Sequence, residues 1–201
     1  MSLDWILALA GFAFVMSISP GPANFLLLTS GANFGVLRSL PLLFGVSLGF
    51  LSMVFAVGLG VGELIKQYPV IDSLLRLLCG GYVLWLAYKI WNAKSLGAKG
   101  EDTLDRPLSF FQASMLQLVN PKAWTVALLV TVTYLSADRQ VSNLLALVAI
   151  FALVNIPSIS VWAISGAALR RNLSKGDRLL WFNRAMALLL IASIAPMLVR
   201  F

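Results

Sequence analysis

Residues 39–62 and 141–169 contain no Asp, Glu, Lys or Arg. A helix crossing the roughly 30 Å hydrocarbon core of a bilayer needs about 20 such residues, so each window is long enough to span one. Charged residues make up only 11% of the chain and hydrophobic ones 60%, with a mean hydropathy of +0.90. A soluble domain carries about 25% charged residues, and a surface this poor in charge cannot face water on all sides. The windows predict an all-α integral membrane protein.

Six transmembrane helices fit the pattern, at about 5–33, 39–62, 69–91, 108–135, 141–169 and 179–199. The first stretch has the look of a secretory signal, but its leading residues hold Asp4 and no basic residue, and no polar domain follows it. It reads instead as the first half of a broken span. Asp72 and Arg76 open the third span one helical turn apart, close enough to pair. Arg184 lies near the start of the sixth, within snorkelling reach of headgroups. Residues 92–107 form a polar linker that divides a single membrane domain, 1–201, into segments 1–91 and 108–201.

With six spans, Lys66, Arg76, Arg139 and Arg200 fall on one side, and ten basic residues between Arg38 and Arg184 fall on the other. The basic-rich side is expected to be cytoplasmic, which makes residues 92–107 a cytoplasmic linker and puts both termini in the periplasm. The net charge of +7 therefore reads as a topology signal on membrane loops, with no nucleic-acid partner. Cys79 is the single cysteine, which excludes an internal disulfide and any multi-cysteine metal site; its plain reading is a small buried hydrophobe. No histidine occurs, which removes the commonest general base and metal ligand. No cofactor is implied.

Proline-containing breaks interrupt two spans: Ser19-Pro20-Gly21-Pro22 in the first and Asn120-Pro121-Lys122 in the fourth. Each lies just past the middle of the first span of its half. Three spans per half is an odd number, so the second half enters the membrane from the opposite face. The expected architecture is two inverted three-helix repeats with broken helices 1 and 4. A proline inside a helix frees a carbonyl one turn back, and in hydrocarbon that group must find another donor. Gly21 adds access to unusual backbone angles.

Serine or asparagine followed by proline is also how helices start. Ser19-Pro20 and Asn120-Pro121 are each expected to open a half-helix near the midplane, exposing N–H groups and a partial positive charge that favour an anion. Lys122 adds a full charge in a stretch otherwise uncharged from Pro107 to Ala137. At that depth an ionisable residue marks a substrate or ion pathway. An amino-acid carboxylate suits the site, with Asn24, Gln117, Asn120 and Asn155 available to the rest of the ligand. The competing readings are architectural kinks at Pro20 and Pro22 and a snorkelling Lys122, which would have to cross half the core. Asn155-Ile156-Pro157 reads equally as a kink or a site element. Trp85, Trp91 and Trp162 read as packing or interfacial anchors. Gly45, Gly49, Gly58 and Gly60 read as close helix packing.

These residues resemble the lysine exporter superfamily (LysE), in particular its homoserine/threonine exporter branch (RhtB), over nearly the whole chain. The resemblance rests on Ser19-Pro20-Gly21-Pro22-Ala23-Asn24, on Gly45-Val46-Ser47-Leu48-Gly49, on the run from Leu75 to Leu86, and on Gln117-Leu118-Val119-Asn120-Pro121-Lys122-Ala123-Trp124. Around Gly45 to Leu51 and Gly80 to Ile90 it is similar to bacterial cysteine/O-acetylserine exporters. It implies inner-membrane export of amino acids or their derivatives, driven by protons. Basic-amino-acid exporters of the superfamily carry an acidic residue in span two, where this chain has Gly49-Phe50-Leu51. That departure favours a small neutral substrate. It also leaves proton coupling without a carboxylate at depth, since Asp4, Glu63 and Asp72 lie near span ends. Ala23 stands between Pro-Gly-Pro and Asn24, which shifts that asparagine by one position from the family pattern.

The expected protein is thus a secondary transporter, with substrate held between broken spans one and four by Ser19, Pro20, Gly21, Pro22, Asn24, Gln117, Asn120, Pro121, Lys122 and Asn155. An enzyme would need a nucleophile–base pair or a metal cluster, and the apolar spans offer neither. A channel would show selectivity rings or a continuous polar face, whereas the polar residues here gather at two breaks. A structural subunit without transport is the remaining alternative. The sequence does not decide whether the chain forms a homodimer.

Overall fold

The computed structural model describes residues 2–61, 69–93, 106–135 and 141–198. Among them the chain forms eight helices: α1 (Leu3–Ile18), α2 (Pro22–Phe34), α3 (Val36–Gly58), α4 (Pro69–Trp91), α5 (Phe110–Leu118), α6 (Pro121–Tyr134), α7 (Val141–Leu173) and α8 (Arg178–Leu198). Glu63, Lys66, Arg139 and Arg200, together with the side chains of Asp72, Arg76 and Cys79, lie outside the described residues, and the expected Asp72–Arg76 pair lies there with them.

Both breaks are real and sharp. α1 and α2 meet at 60°, and α5 and α6 meet at 68°. The cause is local. Proline drives the residue before it out of the helical region, and the three residues that precede Pro20, Pro22 and Pro121 are all extended. Ser19 has φ −65° and ψ 145°, Gly21 φ 176° and ψ 173°, and Asn120 φ −90° and ψ 111°. Two prolines two residues apart leave no room to resume α-geometry until Pro22. The first half-helix therefore opens at Gly21-Pro22 rather than at the expected Ser19-Pro20. Ser19 instead ends α1, with its N–H on the Val15 carbonyl at 3.1 Å. The second start is as expected: Asn120 is the cap and Pro121 the first helical residue. Pro157 lies inside α7, which continues unbroken through it for 33 residues.

α3, α7 and residues 178–195 of α8 are each long and apolar enough to cross a membrane, and each bent pair qualifies as one broken span. Among the described residues that makes up to five, against six expected. α4 has 23 residues, enough at 1.5 Å each to cover the core, but carries Asp72, Arg76 and Lys89 within that length. α2 packs along α7, α3 along α5, and α4 along α8; α1 and α3 also pack on α7, and α3 on α6. Arg184 is held at the α4–α8 seam, its guanidinium 5.2 Å from the Trp91 ring and 5.3 Å from the Trp181 ring.

Small residues allow the closest crossings. A Cβ on Gly31 would collide with the Ala163 carbonyl, and one on Gly166 with the Leu28 carbonyl, so α2 and α7 touch backbone to backbone. Gly45 and Gly49 receive α5 at Phe110, Ala113 and Ser114, and Gly58 receives Leu144. Gly60 has a φ of 108°, a backbone conformation that favours glycine. The buried apolar residues form two clusters, one joining α2, α3, α4, α5, α7 and α8, the other joining α1, α3, α6 and α7.

Because backbone atoms cannot rotate away, Gly31→Ala is expected to destabilise by about 1–3 kcal/mol. Gly81 has nothing within 4 Å of the added methyl. Gly81→Ala should leave the thermal midpoint in detergent unchanged or slightly raised. Equal midpoints for the two variants would remove the α2–α7 contact as a source of stability.

Candidate functional site

The end of α1 presents its last carbonyls at a point where no next helical turn receives them. Side chains from three other helices do so. Asn24 of α2 donates through Nδ2 to the Ser17 and Ser19 carbonyls, both at 2.8 Å. Trp162 of α7 donates its indole N–H to the Ile18 carbonyl at 3.1 Å. Lys122 of α6 reaches across from the other break, with Nζ 2.6 Å from the Ser19 carbonyl and 3.4 Å from that of Pro20. A cation at the carbonyl end of a helix is also favoured by its dipole.

Gly21 matters here for space. Its extended φ is open to any residue, but a Cβ would stand 2.8 Å from Lys122 Cδ, so the lysine side chain would have to shift. The access to unusual backbone angles expected of Gly21 is not used.

The second break is tied more locally. Asn120 Oδ1 accepts from the Lys122 N–H at 3.1 Å, and Asn120 Nδ2 donates to Gln117 Oε1 at 3.3 Å. Gln117 Nε2 reaches the Ala113 carbonyl at 3.4 Å, and the Trp124 indole N–H caps the Leu118 carbonyl at 2.7 Å. The two half-helix starts are therefore unlike. α6 is capped by its own asparagine, while no side chain caps α2. The partial positive charge of the α2 start, with the Ala23 and Asn24 N–H groups in its first turn, faces a cavity.

That cavity, of about 50 Å³, is lined by Ser17, Gly21, Ala23, Asn24, Gln117, Asn120, Lys122 and Asn155. Met16, Val46, Phe50, Ala123, Val126, Phe151 and Ile159 complete its wall. Phe50 and Phe151 meet at 5.2 Å between ring centres. Asn155 is 6% exposed and bridges three helices, donating to Ser17 Oγ at 2.9 Å and accepting from Ser47 Oγ at 2.8 Å. It is thus an element of this cavity's wall rather than only the neighbour of a kink. Among the described residues the lining holds one charge, Lys122, and no carboxylate.

Of the sequence candidates, Gly21, Asn24, Gln117, Asn120, Lys122 and Asn155 line the cavity together. Ser19 and Pro20 stand behind Lys122 as acceptors, and Pro22 and Pro121 set the helix starts. Sequence reasoning missed Ser17, whose signal is a hydroxyl two residues before the break, and the capping roles of Trp124 and Trp162.

The family model described as a LysE type translocator matches residues 14–199. This chain belongs to the LysE-type translocator family. It is a multi-pass membrane transporter and not an enzyme. A cysteine/O-acetylserine efflux protein of Klebsiella pneumoniae subsp. pneumoniae is 32% identical over 196 residues, covering 92% of this chain and 94% of that one. Proteins of the same description from Salmonella typhimurium and Escherichia coli O1:K1 are 30% identical over 182 and 188 residues, each covering 90% of both chains. No solved structure matches.

The Ser19 carbonyl has two donors, so the lysine and asparagine should differ in what they hold up. Asn24→Ala strips two carbonyls of a donor and is expected to cost about 1–3 kcal/mol. Lys122→Met removes a half-buried charge and leaves Asn24 in place, and should stay within about 1 kcal/mol of the parent. Unfolding of both variants in detergent checks this; the reverse order would make the lysine the structural tie.

Proposed function

We propose that the chain exports small neutral amino acids or derivatives, of the cysteine, O-acetylserine, homoserine or threonine type, across the bacterial inner membrane. The observation that carries this reading is a cavity whose lining, among the described residues, has one cation, an uncapped helix start and no carboxylate. A carboxylate group is attracted by both positive features. A cationic side chain would meet Lys122 with nothing to neutralise it, and the place where basic-amino-acid exporters have an acid is here the buried Phe50 neighbourhood. The relatives' description as cysteine/O-acetylserine efflux proteins supports the same class.

The cavity's ~50 Å³ holds only a few waters, so an amino acid requires the two breaks to separate. A six-span inverted repeat would supply that motion by rocking one half, 1–91, against the other, 108–201. The helix pairing supports it. Exchanging α1 and α2 with α5 and α6, α3 with α7, and α4 with α8 turns the α1–α7 pair into α5–α3 and the α2–α7 pair into α6–α3. The α3–α7 and α4–α8 pairs map onto themselves, and every one of these pairs occurs, although the α2–α3 and α2–α8 contacts have no α6–α7 or α6–α4 counterpart of like extent. On this reading α4 is the third span and both termini are periplasmic. Lys122 takes the substrate carboxylate, with Asn24, Gln117 and Asn155 beside its amine and side chain.

Counterflow in proteoliposomes tests this with labelled O-acetylserine, cysteine, homoserine and threonine against lysine and arginine. Saturable exchange of the neutral set is expected. Loss of one charge-assisted hydrogen bond in Lys122→Met should lower it by about 10- to 100-fold. Preference for lysine or arginine, or full exchange by Lys122→Met, would overturn the reading.

A further inference from the structure

The α4–α8 seam carries a charge that the central site does not use. Arg184, in the second turn of α8, is half-buried between the rings of Trp91 and Trp181. Its Nε is shut in without an acceptor, and among the described residues no carboxylate or carbonyl accepts from its guanidinium. A snorkelling arginine reaches the interface along its own helix. This one is held in place by rings from two helices, with cation–π contacts as its only partners among the described residues. A cation so placed in a membrane helix calls for an anion.

The surface around Arg184 has the layout of an amphiphile. α4 and α8 run antiparallel, since Trp91, the last residue of α4, meets the first turns of α8. On α4, Leu84, Tyr88 and Trp91 recur at helical spacing and are exposed; on α8, Trp181 and Leu188 flank Arg184 at similar spacing and are exposed too. Each stripe begins at the Trp–Arg cluster and continues toward the middle of its helix as side chains suited to lipid. Residues 178–195 are apolar enough to cross a membrane, and Arg184 lies roughly 9 Å along the axis from Arg178, close to headgroup depth. A free phosphate would use only the cation, whereas a phospholipid would use the cation and both stripes.

The protein side of this seam is fixed from behind. Asn183 is fully buried and shares two amide hydrogen bonds with Asn33 of α2, at 3.0 and 3.4 Å. Its Nδ2 also donates to the Ala93 carbonyl, just past the end of α4, at 3.1 Å. The start of α8 and the end of α4 are thus tied together one residue away from Arg184, and little ordering is left for a ligand to impose.

We propose that the α4–α8 seam is a binding site for one anionic phospholipid, with Arg184 donating to the headgroup phosphate, the two tryptophans flanking it, and the Leu84–Tyr88 and Leu188 stripes taking the acyl chains. The proposal needs only a membrane protein and is independent of what the central site carries. Because Trp91 lies in segment 1–91 and Arg184 in segment 108–201, the site is complete only while these two ends are apposed. A bound lipid therefore favours this arrangement over any in which they part.

Native mass spectrometry of the purified full-length protein in neutral detergent and 0.15 M salt tests this, by titrating dioleoylphosphatidylglycerol against dioleoylphosphatidylcholine. The anionic lipid should bind about tenfold tighter, and Arg184→Gln should erase that difference, the effect of one lost charge-assisted contact. Trp181→Leu should weaken binding several-fold. Arg178→Gln should change it less than twofold, because exposed charges out of contact are screened at that salt. Should Arg184→Gln fail to fold, Arg184→Lys replaces it and should bind several-fold more weakly than the parent, since the charge remains but the planar fork is gone. Equal binding of the two lipids by the parent would overturn the proposal. So would an Arg178→Gln effect as large as that of Arg184→Gln, which would mean diffuse surface attraction. Displacement of phosphatidylglycerol by an equal concentration of glycerol 3-phosphate would overturn the lipid assignment in favour of a soluble phosphate.

Discussion

Four carbonyls at and just beyond the end of α1 set the terms for the rest of the molecule. Ser17, Ile18, Ser19 and Pro20 lose their helical partners because two prolines forbid the next turn, and in an apolar surrounding each uncompensated group costs several kcal/mol. The fold answers with donors from three separate helices: Asn24 on α2, Trp162 on α7 and Lys122 on α6. The break is therefore a joint as well as an interruption. α1 cannot settle until α2, α6 and α7 are in place around it.

The same requirement shapes the close packing. Short reach from Trp162 to Ile18 needs α7 near the break, and Gly31 and Gly166 bring α2 and α7 into backbone contact on one side of it. Asn155, two turns before Trp162, then reaches Ser17 from α7, and Ser47 reaches Asn155 from α3. Buried polar groups in such a network are favourable only when all are satisfied, and here each named side chain has a partner. A polar cavity is what remains where the two breaks face each other and no side chain fills the gap.

Much of this was legible in the sequence, because the constraints involved are local. The uncharged windows 39–62 and 141–169 place α3 and α7 to within a few residues, and Ser19-Pro20-Gly21-Pro22 and Asn120-Pro121-Lys122 give the two breaks to within a residue or two, while the expected count of six spans is not reached among the described residues. Asn120 was identifiable as a cap because an asparagine before proline has one obvious use at a helix start. Ser19 had the same look, yet the second proline moved the start to Pro22; two overlapping local rules competed, and the one acting later in the chain prevailed. What was not legible depends on tertiary approach. Nothing in the residues near Trp162 reveals a carbonyl 144 positions away. The reach of Lys122 to Ser19 and Pro20 likewise passes over Gly21, where a Cβ would crowd the lysine stem.

The Ser19 carbonyl shows how one lysine can serve both the fold and a ligand. In the arrangement seen here it accepts from Lys122 and from Asn24 at once. If Lys122 turns to an incoming carboxylate, Asn24 still holds that carbonyl, and the break is not left with a stranded acceptor. The exchange then trades one charge-assisted bond to a neutral oxygen for a stronger one to an anion, with little of the cost that a singly satisfied carbonyl would impose. Pro20 alone loses its donor, and its carbonyl lies at the exposed edge of the break, where water can reach it. Redundancy at Ser19 thus makes it possible for the lysine to move while the broken helix stays put.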